Sequence, residues 1–98
     1  MTTSEDGAAI APHHKPALNR MFMLRWEPAQ DAHVLLYPEG VVKLNPTAAE
    51  ILKHCSGTQT TDGIVAELKA AYPEGGAQLE TSTRKFLDLA YAKGWINV

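Results

Sequence analysis

A chain of 98 residues holds one domain rather than two. It is 45% hydrophobic and 20% charged, with a net charge of −2. That is a globular composition, without the basic surplus that nucleic acid or an anionic membrane surface attracts. The single cysteine, Cys55, closes no internal disulfide, and no basic segment followed by an apolar one marks a secretory signal. A reducing, cytoplasmic setting is expected. The longest apolar runs, such as Val34-Leu35-Leu36-Tyr37, are far too short to span a bilayer.

Residues 1–20 are expected to form a disordered leader. Met1 to Leu18 is rich in Ala, Gly, Pro, Thr, Ser and His, and Pro12 and Pro16 interrupt any helix. His13-His14 lacks the further ligands a metal site needs. The domain is expected over residues 21–98. Met21 to Trp26 predicts a first strand with Phe22, Leu24 and Trp26 on one face. Glu27 to Ala32 is a polar connector. His33–Tyr37 and Val41–Leu44 predict a hairpin around Pro38-Glu39-Gly40, with Gly40 supplying a positive φ if the reversal needs one. Val, Leu and Tyr suit a pleated, half-buried surface.

Asn45 before Pro46 reads as the cap and first residue of a helix. Ala48, Ile51, Leu52 and Cys55 form its buried face, and Ser56-Gly57 ends it. Thr60-Thr61-Asp62 starts a second helix, whose stripe is Ile64, Val65, Leu68, Ala71 and Tyr72. Pro73 to Gly76 breaks it. A third helix is expected from about Gln78 to Lys93, with Leu79, Thr83, Phe86, Leu87 and Ala90 inward. Trp95 and Ile96 fold back as an apolar anchor, with Trp95 under the sheet. The expected fold is α+β: a three-stranded antiparallel sheet followed by three helices packed on one face.

No chemistry converges. The chain has no glycine-rich phosphate loop, clustered cysteines or His-Glu-x-x-His, and its serines lack a nucleophile elbow. Glu50, Glu67, Glu80 and Asp88 fall on helix surfaces. A non-catalytic binding module without metal or cofactor is expected. A small sheet leaves backbone N–H and C=O groups unpaired at its edges, and a peptide can add there as a further strand.

Several segments in combination resemble the PqqD family of pyrroloquinoline quinone (PQQ) biosynthesis. They are Trp26-Glu27-Pro28-Ala29-Gln30-Asp31-Ala32, Leu36-Tyr37-Pro38-Glu39-Gly40, Lys43-Leu44-Asn45 with Ala48-Glu50-Ile51-Leu52, Ile64-Val65 with Leu68, and Lys93-Gly94-Trp95-Ile96. The resemblance covers about residues 20 to 98. It implies a winged-helix-like peptide-binding domain, the prototype of the recognition elements of ribosomal peptide modification (RiPP recognition elements). Such proteins bind the precursor peptide PqqA and present it to PqqE, a radical S-adenosylmethionine (SAM) enzyme with iron–sulfur clusters that links a Glu and a Tyr side chain. Gly63, Thr83 and Arg84 depart from the family pattern, in which an acidic residue and two aliphatic ones are usual.

The resemblance implies a peptide cleft between the third strand and the third helix. Carried over, its residues are Val41, Val42, Lys43 and Leu44, facing Arg84, Leu87, Asp88 and Tyr91, with Arg84 and Tyr91 at the rim. Alternation turns either Val41 and Lys43 or Val42 and Leu44 outward. The expected assembly is a monomer, or a weak homodimer through sheet edges. The alternatives are a winged-helix DNA-binding protein, against which Glu80 and Asp88 offset Arg84, Lys85 and Lys93, and a quinone-binding protein, for which no convergent polar site is seen.

Overall fold

The computed structural model describes residues 9–98. The strands are β1 (Ala17–Leu18), β2 (Met23–Glu27), β3 (Ala32–Tyr37), β4 (Gly40–Lys43) and β5 (Ile96–Asn97). The helices are α1 (Pro46–Lys53), α2 (Thr61–Ala71) and α3 (Gly76–Ala92), with a single 3-10 turn at Pro73–Gly75. The fold is α+β, and its main sheet is an antiparallel meander in the order β2-β3-β4.

Each strand alternates as its sequence dictates. Leu24, Leu35 and Val42 stand side by side across the sheet, and with Phe22 and Leu44 they face the helices. Ala48, Ala49, Ile51 and Leu52 of α1, Ile64 and Leu68 of α2, and Leu87 and Ala90 of α3 complete the core. The β2–β3 connection, Pro28 to Asp31, closes with Asp31 at φ 52°, a left-handed conformation that Asp tolerates better than most residues. The β3–β4 turn is tighter than expected. Tyr37 pairs with Gly40, leaving only Pro38-Glu39 between the strands, and Gly40 does not take a positive φ. A Cβ there would rest against the Tyr37 hydroxyl at 3.4 Å, an ordinary contact.

The helix caps follow the sequence. The Asn45 side chain accepts the Ala48 N–H at 2.7 Å, and Thr60 Oγ1 accepts that of Gly63 at 3.0 Å. Each satisfies an N–H that the first turn leaves without a partner. Gly57, three residues after the α1 cap, sits at φ 84°. Two expectations for the α2 stripe fail: Ala71 and Tyr72 are exposed, because the backbone leaves helical geometry at Tyr72 (φ −131°) ahead of Pro73.

The expected leader differs most. Its first eight residues lie outside the described residues, but residues 9–20 run along the domain. Ala17 and Leu18 pair with Asn97 and Ile96 in a second, two-stranded sheet. The Thr61 N–H donates to His14 O at 2.8 Å, and that of Gly57 to Pro16 O at 2.9 Å. The Leu18 N–H donates to Cys55 O at 3.0 Å, and that of Asn19 to Trp95 O at 2.8 Å. Pro16 is buried and Ile10 packs on the core. Backbone bonding to elements distant in sequence, invisible in composition, holds a segment with little apolar content. Trp95 is half-buried and packs against the core, its ring 6.2 Å from that of Phe86 of α3.

Candidate functional site: the β4 edge and its cleft

The main sheet ends at β4, beyond which no strand pairs among the described residues. Which of its backbone groups point outward follows from one bond. The Leu44 N–H donates to His33 O at 3.0 Å. Directly opposed residues in an antiparallel pair alternate between exchanging hydrogen bonds and not exchanging them. The bonded position at His33 and Leu44 makes Leu35–Val42 bonded as well. Leu36–Val41 and Val34–Lys43 are then the unbonded pairs. The N–H and C=O groups of Val41 and Lys43 therefore point away from β3. Their spacing, two strand residues or about 6.6 Å, matches the repeat of any incoming strand. On the opposite edge the same alternation turns Leu24 and Trp26 of β2 outward.

β4 passes directly into α1 through Leu44 and the Asn45 cap, and a cleft opens at that junction. Asn45, Thr47, Ala48 and Ile51 line one wall, and Ser82 and Phe86 of α3 the other, enclosing about 280 Å³. A second hollow, of about 410 Å³, lies at the same end of the sheet, between Trp26, Asp31, His33, Lys43, Asn45 and Pro46. There the Trp26 ring meets His33 edge-on with centroids 5.1 Å apart. The larger hollow is mainly apolar, which suits side chains of a bound chain, and the smaller is the more polar of the two.

The sequence-predicted residues divide between these features and other surfaces. Val41 is 61% exposed and Lys43 is exposed. Val42 is half-buried on the core face, and Leu44 is 5% exposed within the core. Leu87 is fully buried, so its side chain has no surface to offer a ligand. Arg84 Nη2 donates to Asp62 at 2.7 Å and Nε to Glu80 at 3.1 Å. The bond to Asp62, with that to Glu80, raises the guanidinium pKa above its ordinary value. Hydrogen bonds from Lys69 and Arg84 hold Glu80 below the usual carboxylate range. Asp88 Oδ1 accepts the Ile10 N–H at 2.9 Å, and Tyr91 is half-buried against the core. Arg84, Asp88 and Tyr91 share one flank of α3 by helical spacing, and their partners put that flank beside α2 and the N-terminal segment.

Ser82 and Phe86, the cleft residues of α3, lie on the other flank. Sequence reasoning placed Phe86 in the core with Leu87 and Ala90. Its position about 100° round the helix from Leu87 was a signal that it borders a different surface. Of the remaining candidates, His14 Nδ1 accepts the Ala11 N–H at 2.9 Å. Cys55 is buried, its Sγ 3.5 Å from Ile51 O, and burial pushes its thiol up to about 12. No helix among the described residues is long and apolar enough to cross a membrane.

Known proteins resemble this chain over most of its length. The family model described as coenzyme PQQ synthesis protein D (PqqD) matches residues 32–96. A protein of Stutzerimonas stutzeri named "PqqA binding protein" is 46% identical over 85% of this chain and 89% of its own. A relative of the same name from Pseudomonas aeruginosa is 47% identical over the same shares, and one from Klebsiella pneumoniae 42% over 82% and 86%. The fold is similar to the solution NMR structure of the PqqD truncation of Methylobacterium extorquens PqqCD, described as a functional and stand-alone RiPP recognition element. That match has a TM-score of 0.74 at 26% identity, over 95% of this chain and 99% of the other.

Proposed function

The chain belongs to the PqqD family, and on that premise we propose that it is a non-catalytic peptide chaperone of PQQ biosynthesis, which binds the precursor peptide PqqA along β4 and presents it to the radical SAM enzyme PqqE. The observation that carries this reading is the outward backbone of Val41 and Lys43 on an open sheet edge. A peptide laid beside β4 exchanges hydrogen bonds with both residues, which gives affinity without regard to side chains. Alternate peptide side chains then turn toward the cleft between α1 and α3, where Phe86 supplies apolar contact and Asn45, Thr47 and Ser82 the polar rim.

The site is built from strand backbone and from side chains carried on α1 and α3, so little ordering of the protein opposes binding. The peptide is held extended, and the two side chains that PqqE links stay outside the cleft. The chain acts in the cytoplasm as a monomer, the peptide taking the edge through which two copies would otherwise pair. A DNA-binding role is disfavoured because Arg84, the central cation of α3, is engaged by Asp62 and Glu80.

The experiment is a reconstitution. PqqA and reduced PqqE with S-adenosylmethionine are incubated with and without this chain, and the Glu–Tyr cross-link is read by mass spectrometry. Cross-linking should depend on the chain. Phe86→Ala should lower peptide affinity, whereas Arg84→Ala, on the other flank of α3, should leave it within about twofold. Equal cross-linking in the absence of the chain would overturn the presentation role.

A further inference from the structure

The cleft beside β4 continues past Ser82. On α1, Thr47 and Ile51 stand one turn apart. They line that cleft and also a further cavity of about 280 Å³. On α3, Leu79 of this cavity and Ser82 and Phe86 of the cleft are spaced i, i+3 and i+7, which is one stripe of a helix. The two openings therefore share both walls and form one groove between α1 and α3. Phe86 and Leu79 are about 10 Å apart along the helix axis, the length of roughly three residues of extended chain.

The further cavity combines apolar walls with negative charge. Ile51 and Leu68 are buried and Leu79 half-buried, whereas Tyr72 and Glu74 are exposed. Glu50 also lines it, and no basic residue does. The Glu50 carboxylate accepts from Lys53 Nζ at 2.9 Å, a bond that holds it below the usual carboxylate range. Glu74 makes no ion pair among the described residues. Gly75 keeps the wall open. Its φ of −77° suits any residue, but a Cβ there would lie 2.9 Å from Leu79 Cβ and would have to displace that side chain.

We propose that this cavity is a second side-chain subsite of the peptide groove and takes a lysine or arginine of the bound peptide, about three residues from the side chain seated at Phe86. The proposal rests on the peptide-binding reading above and adds what the groove selects. Lysine and arginine lay an aliphatic stem along apolar surface and keep the cation at the water boundary. Ile51, Leu68 and Leu79 fit the stem. Tyr72 offers an aromatic face to the cation, and Glu74 and Glu50 offer charge-assisted hydrogen bonds. An acidic side chain is repelled, and a neutral one gains nothing from either carboxylate. The subsite also answers a need that β4 leaves open. Backbone pairing gives affinity without reading sequence, and a slip of two residues keeps every side chain on its own face. A cation seated here admits one register.

The test titrates fluorescent PqqA by anisotropy against the full-length parent and Glu74→Lys. It is repeated with PqqA peptides in which each Lys and Arg is replaced by Glu in turn. Glu74→Lys should weaken unmodified PqqA by about five- to tenfold, the loss of a partly exposed ion pair plus the repulsion that replaces it. One peptide substitution should weaken binding to the parent by a similar factor. That same peptide should bind Glu74→Lys more tightly than unmodified PqqA does, a rescue that a merely structural role for Glu74 would not produce. Rising salt should narrow the gap between parent and Glu74→Lys. Should Glu74→Lys fail to fold by circular dichroism, Glu74→Gln carries the test, with a loss of about threefold.

A parent that binds PqqA while Glu74→Lys binds it within about twofold would overturn the subsite and leave the peptide reading standing. A loss in Glu74→Lys that no charge-swapped peptide restores would overturn it equally. A parent that does not bind PqqA would overturn both.

Discussion

Replacing single residues of β4 by proline separates binding from folding, because proline removes one N–H and the structure says where each N–H points. Val41→Pro and Lys43→Pro delete donors that face solvent in the unliganded protein. Val42→Pro deletes a donor to β3, opposite Leu35. A peptide hydrogen bond is worth about 0.5–1.5 kcal/mol net, and a carbonyl left buried without its partner costs about 1–3 kcal/mol. The two outward prolines should therefore weaken PqqA by about 1–3 kcal/mol, some five- to a hundredfold in Kd. Val42→Pro should lose a similar amount from folding instead, with added strain from the ring. In a domain of this size that corresponds to a fall in Tm of roughly 10 °C or more. The assays are anisotropy with labelled PqqA and thermal melting by circular dichroism. Val42→Pro melting like the parent would refute the assignment of inward and outward groups. Folded, fully binding Val41→Pro and Lys43→Pro proteins, alongside loss of binding in Leu24→Pro or Trp26→Pro, would put the peptide on the β2 edge.

Other expectations follow from single features of the fold. Removing residues 1–19 deletes the backbone bonds to Cys55, Gly57, Thr61 and Trp95. Stability should fall by roughly 2–4 kcal/mol, less than the sum of those bonds because the freed chain regains entropy; an unchanged urea midpoint would contradict this. Thr83 is fully buried and its hydroxyl has no hydrogen-bond partner. Thr83→Val, which puts a methyl in its place, should raise stability by about 1 kcal/mol, and a lower Tm would show that the hydroxyl is satisfied in solution. The Cys55 thiol is raised from 9.0 to about 12 by burial, so its proton is held more tightly folded than unfolded. It is neutral in both states below about pH 9 and leaves stability unchanged there. Between 9 and 12 the unfolded thiol ionises first, and stability should fall by about 1.4 kcal/mol per pH unit. At pH 8 iodoacetamide should label Cys55 only as fast as the protein unfolds.

The elements of this domain were written in local signals. Asn45-Pro46 and Thr60 mark helix starts because a side-chain oxygen beside a helix-compatible run satisfies orphan N–H groups whatever the tertiary context. Alternation in His33–Tyr37 likewise assigns Leu35 to the core. What local signals do not carry is partner choice. Ala17 and Leu18 have no composition to announce that they pair with Ile96 and Asn97, some eighty residues away. The same limit governs the site. The open edge could be anticipated from a three-stranded meander, but the choice between Val41 with Lys43 and Val42 with Leu44 required one observed bond, from Leu44 to His33. On α3, periodicity separates the flank of Arg84 and Asp88 from that of Ser82 and Phe86. It does not say which of them meets α1. Arg84 drew attention as a departure from the family pattern, and its neighbours Asp62 and Glu80 account for it as an ion-pair centre.

Amide hydrogen exchange measured by NMR, on the protein alone and saturated with PqqA, tests the central claim most directly. The account predicts that the Val41 and Lys43 amides exchange fast in the unliganded chain and become protected when the peptide is bound. Val42 should be protected in both states, and the Phe86 amide should shift. Unchanged exchange at Val41 and Lys43 in a saturated complex, or new protection at Leu24 and Trp26 instead, would contradict peptide pairing on β4.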